Sequence, residues 1–211
     1  MLEEGRFLLE RIRNKSLLLI LPIIFFLISF KSSDKNIDKI SNFLNNFKTI
    51  SANFIQLDNN GNPTTGNIKI KRPGKMRIEY NKPISNLIIS DGIKVALINK
   101  KSSSINLYSL NQIPIKVLLS NDFSLKDYQI INYKEANNII EVEITSKKDK
   151  ELGSITFIFE HRPMQIKKWI INEINGSKTE IFLSDVFINK KLDNNFFRII
   201  DPRKIPFGRK E

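Results

Sequence analysis

Few residues in this sequence are equipped for acid–base, nucleophilic or metal chemistry. Cysteine is absent, which excludes disulfides, thiolate metal sites and cysteine nucleophiles. The single histidine, His161, is followed by Arg162-Pro163, a setting more typical of a loop than of a metal ligand or a general base. Glu141 and Glu143 lie on the solvent side of a predicted strand and show no acid–base arrangement. The sequence therefore predicts that the protein is not an enzyme and that it needs no metal and no cofactor.

One arginine occupies an unusual position at the end of an apolar pattern. In the segment IKIKRPGKMRIEY, period-two spacing puts Ile68, Ile70 and Arg72 on one face of a strand. The matching apolar face of the next strand, after the Pro-Gly turn, comprises Met76, Ile78 and Tyr80. Such an arginine either extends its charged head into water or points into an apolar space, where its five donors need acceptors. Both alternatives fit the pattern alone.

Eleven short segments with alternating or continuous apolar residues predict β-strands. Turn-forming clusters such as NNGNP, RPGK and SDG separate them, and links this short favour antiparallel pairing of neighbours. The clearest alternation is that of Ile140, Val142 and Ile144 against the two glutamates between them. Between two later segments, Asn175-Gly176 predicts a type I′ hairpin turn.

Two regions break the strand pattern and predict helices. Apolar residues at helical spacing run from Asn36 to Phe47, and a second irregular region, Leu110 to Tyr128, predicts short helices. A simple sheet of this length must curl or close, and the helices are the only material to cover its concave face. The predicted fold is mainly β: an incomplete, half-open antiparallel β-barrel of about 11 strands, covered by short helices over an apolar pocket.

The N-terminal segment and the net charge indicate where the protein is located and what kind of partner it could bind. Basic residues precede SLLLILPIIFFLISF, so residues 1–33 are expected to be a secretory signal or leader and residues 34–211 the exported domain, with an uncleaved anchor as the alternative. The net charge is +12, from 34 Lys and Arg against 22 Asp and Glu. It suits an anionic partner or, because the lysines are scattered, merely reflects a composition rich in Ile, Asn and Lys. We expect no nucleic-acid partner.

An ordered set of motifs resembles the LolA family of outer-membrane lipoprotein carriers. The motifs are FIQ, GNIKIKRPGKMRIEY, LIISDG, INLYSL, PIKVLL, ELGSITFIFEHRPMQIKKWIIN, TEIFLSDVFIN and FFRIIDP. They cover nearly all of the chain after the leader, and the Arg-Pro-Gly and Ser-Asp-Gly turns are the most specific. Unlike some relatives, the chain has only one tryptophan, Trp169, which we expect in the core.

The resemblance implies a monomeric carrier in the periplasm. Its cargo would be triacylated lipoproteins, taken from an ATP-driven releasing complex of the inner membrane and passed to an outer-membrane receptor or to the outer membrane directly. Three alternatives remain: a related half-barrel protein carrying another lipid or glycolipid, a sensor or anti-sigma regulator, and a secreted hydrolase. A regulator usually needs a second domain, and a hydrolase would have only His161 as a histidine base.

The resemblance also implies roles for individual residues. Arg72 matches the family's functional arginine, which hydrogen-bonds the lid from within the cavity, so we expect it to latch the lid. The residues expected to form the acyl-chain cavity and its lid are Ile68, Ile70, Met76, Ile78, Tyr80, Phe43, Phe47, Val117, Leu118 and Leu119. Phe43 and Phe47 have the alternative of packing on the outside of the sheet.

Overall fold

The computed structural model of the protein describes residues 36–204, so the predicted leader lies outside the described residues. The chain divides into two compact units at Asn42–Phe43, and the sheet and the site described below belong to the unit that begins at Phe43. Residues 36–46 form the helix α1. Within residues 36–204, none of the helices has the length and apolar character needed to cross a lipid bilayer.

Eleven strands form one antiparallel sheet. In chain order they are β1 (Thr49–Leu57), β2 (Pro63–Lys71), β3 (Lys75–Tyr80), β4 (Asn86–Asp91), β5 (Lys94–Asn99), β6 (Ser104–Ser109), β7 (Tyr128–Ala136), β8 (Ile139–Ser146), β9 (Ser154–His161), β10 (Met164–Asn172) and β11 (Lys178–Ile188). Their order in the sheet is β6-β5-β4-β3-β2-β1-β11-β10-β9-β8-β7. Two meanders, β1–β6 and β7–β11, are thus joined where the first strand pairs with the last. The sheet is open, with β6 and β7 as its edges, and the predicted fold class is confirmed.

The break between the two meanders contains the second helical region. It comprises a 3₁₀ turn (Leu110–Gln112), the four-residue helix α2 (Lys116–Leu119) and another 3₁₀ turn (Leu125–Asp127). The prediction of short helices over this region is therefore correct. These short helices interrupt the chain between β6 and β7, the two strands that end up farthest apart in the sheet.

One face of the sheet, called here the inner face, carries the apolar ladders that the alternation predicts. In the first meander, Ile70 lies opposite Ile50 on one side and Met76 on the other. In the second meander, Phe157 lies between Val142 and Trp169. All six side chains are buried, and Trp169 is a core residue as expected. Burial of this kind contributes about 1.5–3 kcal/mol for each large side chain.

The opposite, outer face of the first meander is covered by the chain after β11. Leu87, Ile89, Ala96 and Ile98 form a buried cluster there, and Ile199 packs against it. The basic side chains that alternate with the inner-face residues hold this segment: the Lys71 ammonium donates to the carbonyl of Leu192 over 2.9 Å. A strand with two buried faces explains why LIISD and KVALIN are continuous apolar runs rather than alternating ones.

The predicted type I′ turn at Asn175-Gly176 is wrong. Only Gly176 has a positive φ there, and the amide of Glu173 bonds the carbonyl of Ser177 across a three-residue loop. A type I′ turn needs two positive φ values in a two-residue loop. Asn137 and Asn138, between β7 and β8, meet that requirement with φ values of 50° and 65°.

Candidate functional site: a lid held by a buried arginine

The turn after β2 fixes the position of Arg72. Gly74 has a φ of +73°, and a Cβ at this position would lie only 2.7 Å from the Cα of Gly92. The hydroxyl of Ser90, which is fully buried, donates to the carbonyl of Gly74 over 2.6 Å. The Arg-Pro-Gly and Ser-Asp-Gly motifs are therefore two turns that pack on each other, and glycine is needed because the left-handed backbone and the close approach both exclude a side chain.

The guanidinium of Arg72 turns inward and contacts both helical regions. Its Nε donates to the carbonyl of Leu118 over 2.7 Å, and its Nη1 donates to the carbonyl of Leu44. The guanidinium carbon also lies 3.6 Å from the centre of the Phe47 ring. The side chain is 8% exposed, so the alternative in which it extends into water does not describe this structure.

Arg72 is a buried cation without a carboxylate partner among residues 36–204. Burial lowers its pKa to about 10, which leaves it charged at neutral pH. Nη2 has no hydrogen-bond partner in the described part of the chain. Among the described residues, the positive charge of Arg72 is therefore stabilised by two neutral carbonyls and one aromatic ring.

Helix geometry explains why these carbonyls are free to accept. The last four carbonyls of a helix lack a partner within it, and the helix dipole makes that end negative. Leu44 lies in the last turn of α1, and Leu118 in the last turn of α2. One planar cation with donors on several sides can bond to both ends at once, which an ammonium cannot do in the same geometry. The second helix is also held by the backbone, because the amide of Gly74 donates to the carbonyl of Leu119 over 2.8 Å.

A pair of hydrogen bonds that the sequence did not predict joins the two helical regions. The side-chain amide of Asn45 donates to the carbonyl of Phe123 over 2.9 Å and accepts from the amide of the same residue over 2.8 Å. Phe123 is buried and stacks on Tyr128 with ring centres 5.2 Å apart. We call α1 from Phe43 onward, α2 and the segment up to Phe123 the lid, because the side-chain hydrogen bonds of Arg72 and Asn45 connect them.

The structure places the predicted cavity and lid residues along the inner face and in the two helical regions that Arg72 contacts. Those buried there are Ile68, Ile70, Met76, Phe47, Val117, Leu118 and Leu119. Ile78 and Tyr80 are half-buried on the same face, and the Tyr80 hydroxyl donates to Gln56 over 2.7 Å. Phe43 is also half-buried, and its ring meets that of Phe159 on the inner face at 5.4 Å. The lid's own apolar side chains are buried in this closed arrangement.

Across residues 36–204, no group of three or more His, Asp or Glu side chains is placed to hold a metal ion. The site consists of an apolar face, a lid attached by hydrogen bonds, and one buried cation, Arg72, whose Nε and Nη1 donate to carbonyls of the lid. These features define a class of protein: an open antiparallel sheet whose apolar face is covered at one place by short helical segments.

Comparison with known proteins identifies the family. A sequence profile described as "Outer membrane lipoprotein carrier protein LolA" matches residues 45–200, more than half of the chain. An outer-membrane lipoprotein carrier protein of Pseudomonas paraeruginosa is 29% identical over 171 residues, covering 76% of this chain and 81% of that protein. One from Azotobacter vinelandii is 26% identical over 206 residues, covering 90% and 94%. The chain belongs to the LolA family.

A solved structure agrees with the fold. The crystal structure of a DUF1329 family protein from Desulfovibrio piger superposes with a TM-score of 0.50 at 9% sequence identity. The match covers 79% of this chain and 96% of that one. At this identity the likeness concerns the architecture of the sheet alone.

Proposed function

We propose that the protein is a periplasmic carrier of lipoproteins, which shelters their acyl chains on the inner face and delivers them to the outer membrane. It would receive them from an ATP-driven complex of the inner membrane and act as a monomer. Membership of the LolA family supports the class of cargo. The observation that carries the proposal is Arg72, a buried cation that holds a lid over an apolar face through two carbonyls.

Energetics favours a lid that opens readily. Burying one charge costs several kcal/mol. Each hydrogen bond from a charged donor returns about 1.5–3 kcal/mol, and a desolvated cation–π contact returns about 2 kcal/mol. The gain exceeds the cost by only a small margin, so Arg72 favours closure while cargo that covers the apolar face can still displace the lid.

The same balance limits how tightly the cargo is held. An acyl chain gains about 0.8 kcal/mol for each buried CH₂, so three chains of ~16 carbons would gain about 40 kcal/mol if they were completely buried. A carrier that bound this tightly would not release its cargo. Closure of the lid by Arg72 competes with the cargo and thereby assists release.

The test of this role replaces Arg72 by leucine. We expect Arg72→Leu to bind a triacylated lipoprotein but to pass it to outer-membrane vesicles at least about tenfold more slowly, since two charge-assisted hydrogen bonds no longer favour closure. Arg162→Leu is the matched control, because Arg162 also precedes a proline and its side chain is exposed. Release by Arg72→Leu at the rate of the control would refute the latch.

The cargo itself is tested by mass spectrometry of the lipids and proteins that copurify with the periplasmic protein. Triacylated lipoprotein is the expected result. A free glycolipid in its place would contradict the proposal and favour a carrier for another lipid.

A further inference from the structure

The lid has a second attachment, on the half of the sheet that lacks Arg72. The ammonium of Lys116, the first residue of α2, lies 2.6 Å from Oδ2 of Asp149. Asp149 belongs to the loop between β8 and β9, in the second meander. The same ammonium donates to the carbonyl of Asn111 over 3.3 Å, so it is held in place on the lid side.

The carboxylate of Asp149 is positioned by its own loop. The amide of Asp149 donates to the hydroxyl of Ser146 over 3.0 Å, and that hydroxyl lies 3.5 Å from Oδ2. The hydrogen bond from Lys116 lowers the pKa of Asp149, so the pair is ionised at neutral pH. Each partner therefore has a second polar contact on its own side of the ion pair.

The side chain of Lys116 also lines a small cleft of about 20 Å³, which has room for about one water molecule. Its apolar lining comprises Pro114, Tyr128, Ile144, Leu152 and Ile155. Ile144 and Ile155 lie opposite each other in β8 and β9 and are buried on the same face as the second meander's core. Movement of Lys116 away from Asp149 would widen the cleft and uncover these two residues.

We propose that Lys116 and Asp149 are positioning residues that hold the lid to the second meander, and that the lid opens first on this side, which widens the small cleft until an acyl chain can enter. The inference rests on the proposed carrier function and adds the direction of opening. The Arg72 attachment is buried, whereas the side chains of Lys116 and Asp149 are 23% and 41% exposed. An exposed ion pair is weaker and is screened by salt, so it separates before the buried one.

A reversible lock gives the first test. Because the chain has no cysteine, Lys116→Cys and Asp149→Cys can be bridged in otherwise unaltered protein with a short bis-methanethiosulfonate reagent, which forms a reducible disulfide with each thiolate and releases methanesulfinate. We expect the bridged variant to lose binding of a pyrene-labelled hexadecanoic acid that the unbridged variant retains. Ser102→Cys with Ser104→Cys, bridged in the same way, is the control, since those hydroxyls lie 2.9 Å apart in an exposed turn away from the lid. Equal binding by both bridged variants would overturn the inference.

Amide hydrogen exchange of Gly74 tests the Lys116–Asp149 attachment without any ligand. This amide donates to Leu119 of the lid, so it exchanges when the whole lid separates from the sheet. We expect Asp149→Lys to speed its exchange about two- to fivefold, the range set by exposed ion pairs, and Asp149→Lys with Lys116→Asp to restore the original rate. Unchanged exchange in Asp149→Lys, or no rescue by the double variant, would overturn the inference. If wild-type protein binds neither the fatty acid nor lipoprotein, the carrier function fails, and the exchange data still decide whether the ion pair holds the lid.

Discussion

The two meanders of the sheet hold the same lid by opposite kinds of chemistry. The first meander presents a buried arginine that bonds to uncharged carbonyls, with Phe47 stacked on its face. The second presents an exposed carboxylate, Asp149, to a lysine of α2. A buried cation bonded to carbonyls is insensitive to salt but depends on accurate placement, whereas an exposed ion pair tolerates imprecise placement but weakens as salt rises. The difference predicts that the lid separates from the second meander before it separates from the first.

The largest expected effect concerns the placement of the buried attachment. Gly74→Ala should lower the free energy of unfolding by about 2–3 kcal/mol, because it combines a positive φ with a Cβ 2.7 Å from a backbone atom of Gly92. Urea denaturation followed by circular dichroism measures the change. Gly61→Ala is the control, since Gly61 has a similar φ of +78° but no atom within 4 Å of the added carbon.

The comparison of these two alanine variants separates clash from backbone strain. Gly61→Ala should cost only the strain, about 1 kcal/mol. Equal losses in both variants would mean that the contact between the two glycine turns contributes nothing. Gly74→Ala should also speed exchange of the lid amides, because its own amide holds Leu119.

A smaller effect is expected where the aromatic face under the guanidinium is removed. Phe47→Leu keeps an apolar side chain but loses the contact at 3.6 Å with Arg72, which is worth about 1–2 kcal/mol when desolvated. The expected result is about a tenfold increase in the exchange rate of the Gly74 amide, greater than that caused by Asp149→Lys. Phe157→Leu is the matched control, since Phe157 is equally buried but lies in the core of the second meander. A Gly74 exchange rate that changes as much in the control would show that packing, not the charge, is responsible.

The sequence predicted which residues share the inner face of the strands better than it predicted the contacts between the lid and the sheet. Period-two spacing alone placed Ile68, Ile70 and Arg72 on one face, since a strand repeats every two residues whatever surrounds it. The strands followed from the same rule and from their turn clusters. The inward direction of the Arg72 side chain did not follow from spacing, and the resemblance to the LolA family supplied it as an expectation.

The spacing of apolar residues in the sequence could not predict contacts between segments that lie far apart in the chain. Asn45 and Phe123 are 78 residues apart, and Lys116 and Asp149 are 33 apart. Nothing in their local sequence marks them, because each pair joins residues of separate elements that only the folded chain brings into contact. The cover over the outer face of the first meander was likewise not predicted, although the apolar runs LIISD and KVALIN are the signal that could have indicated two buried faces.

The smallest expected effect is that of salt, and it separates the two attachments most directly. Raising the ionic strength from about 0.01 M to about 0.5 M shortens the range of charge interactions from about 30 Å to under 8 Å. Exchange of the wild-type Gly74 amide should rise about twofold. In Lys116→Gln the amide should exchange faster at low salt and change little when salt is added, because the screened pair is already absent. Asn45→Ala removes an uncharged contact of the lid, so its exchange should be faster while the salt dependence is kept. If the exchange rate of Gly74 in Lys116→Gln still rises with salt, a charge pair other than Lys116–Asp149 is being screened. The proposed difference between the two halves of the sheet would then be wrong.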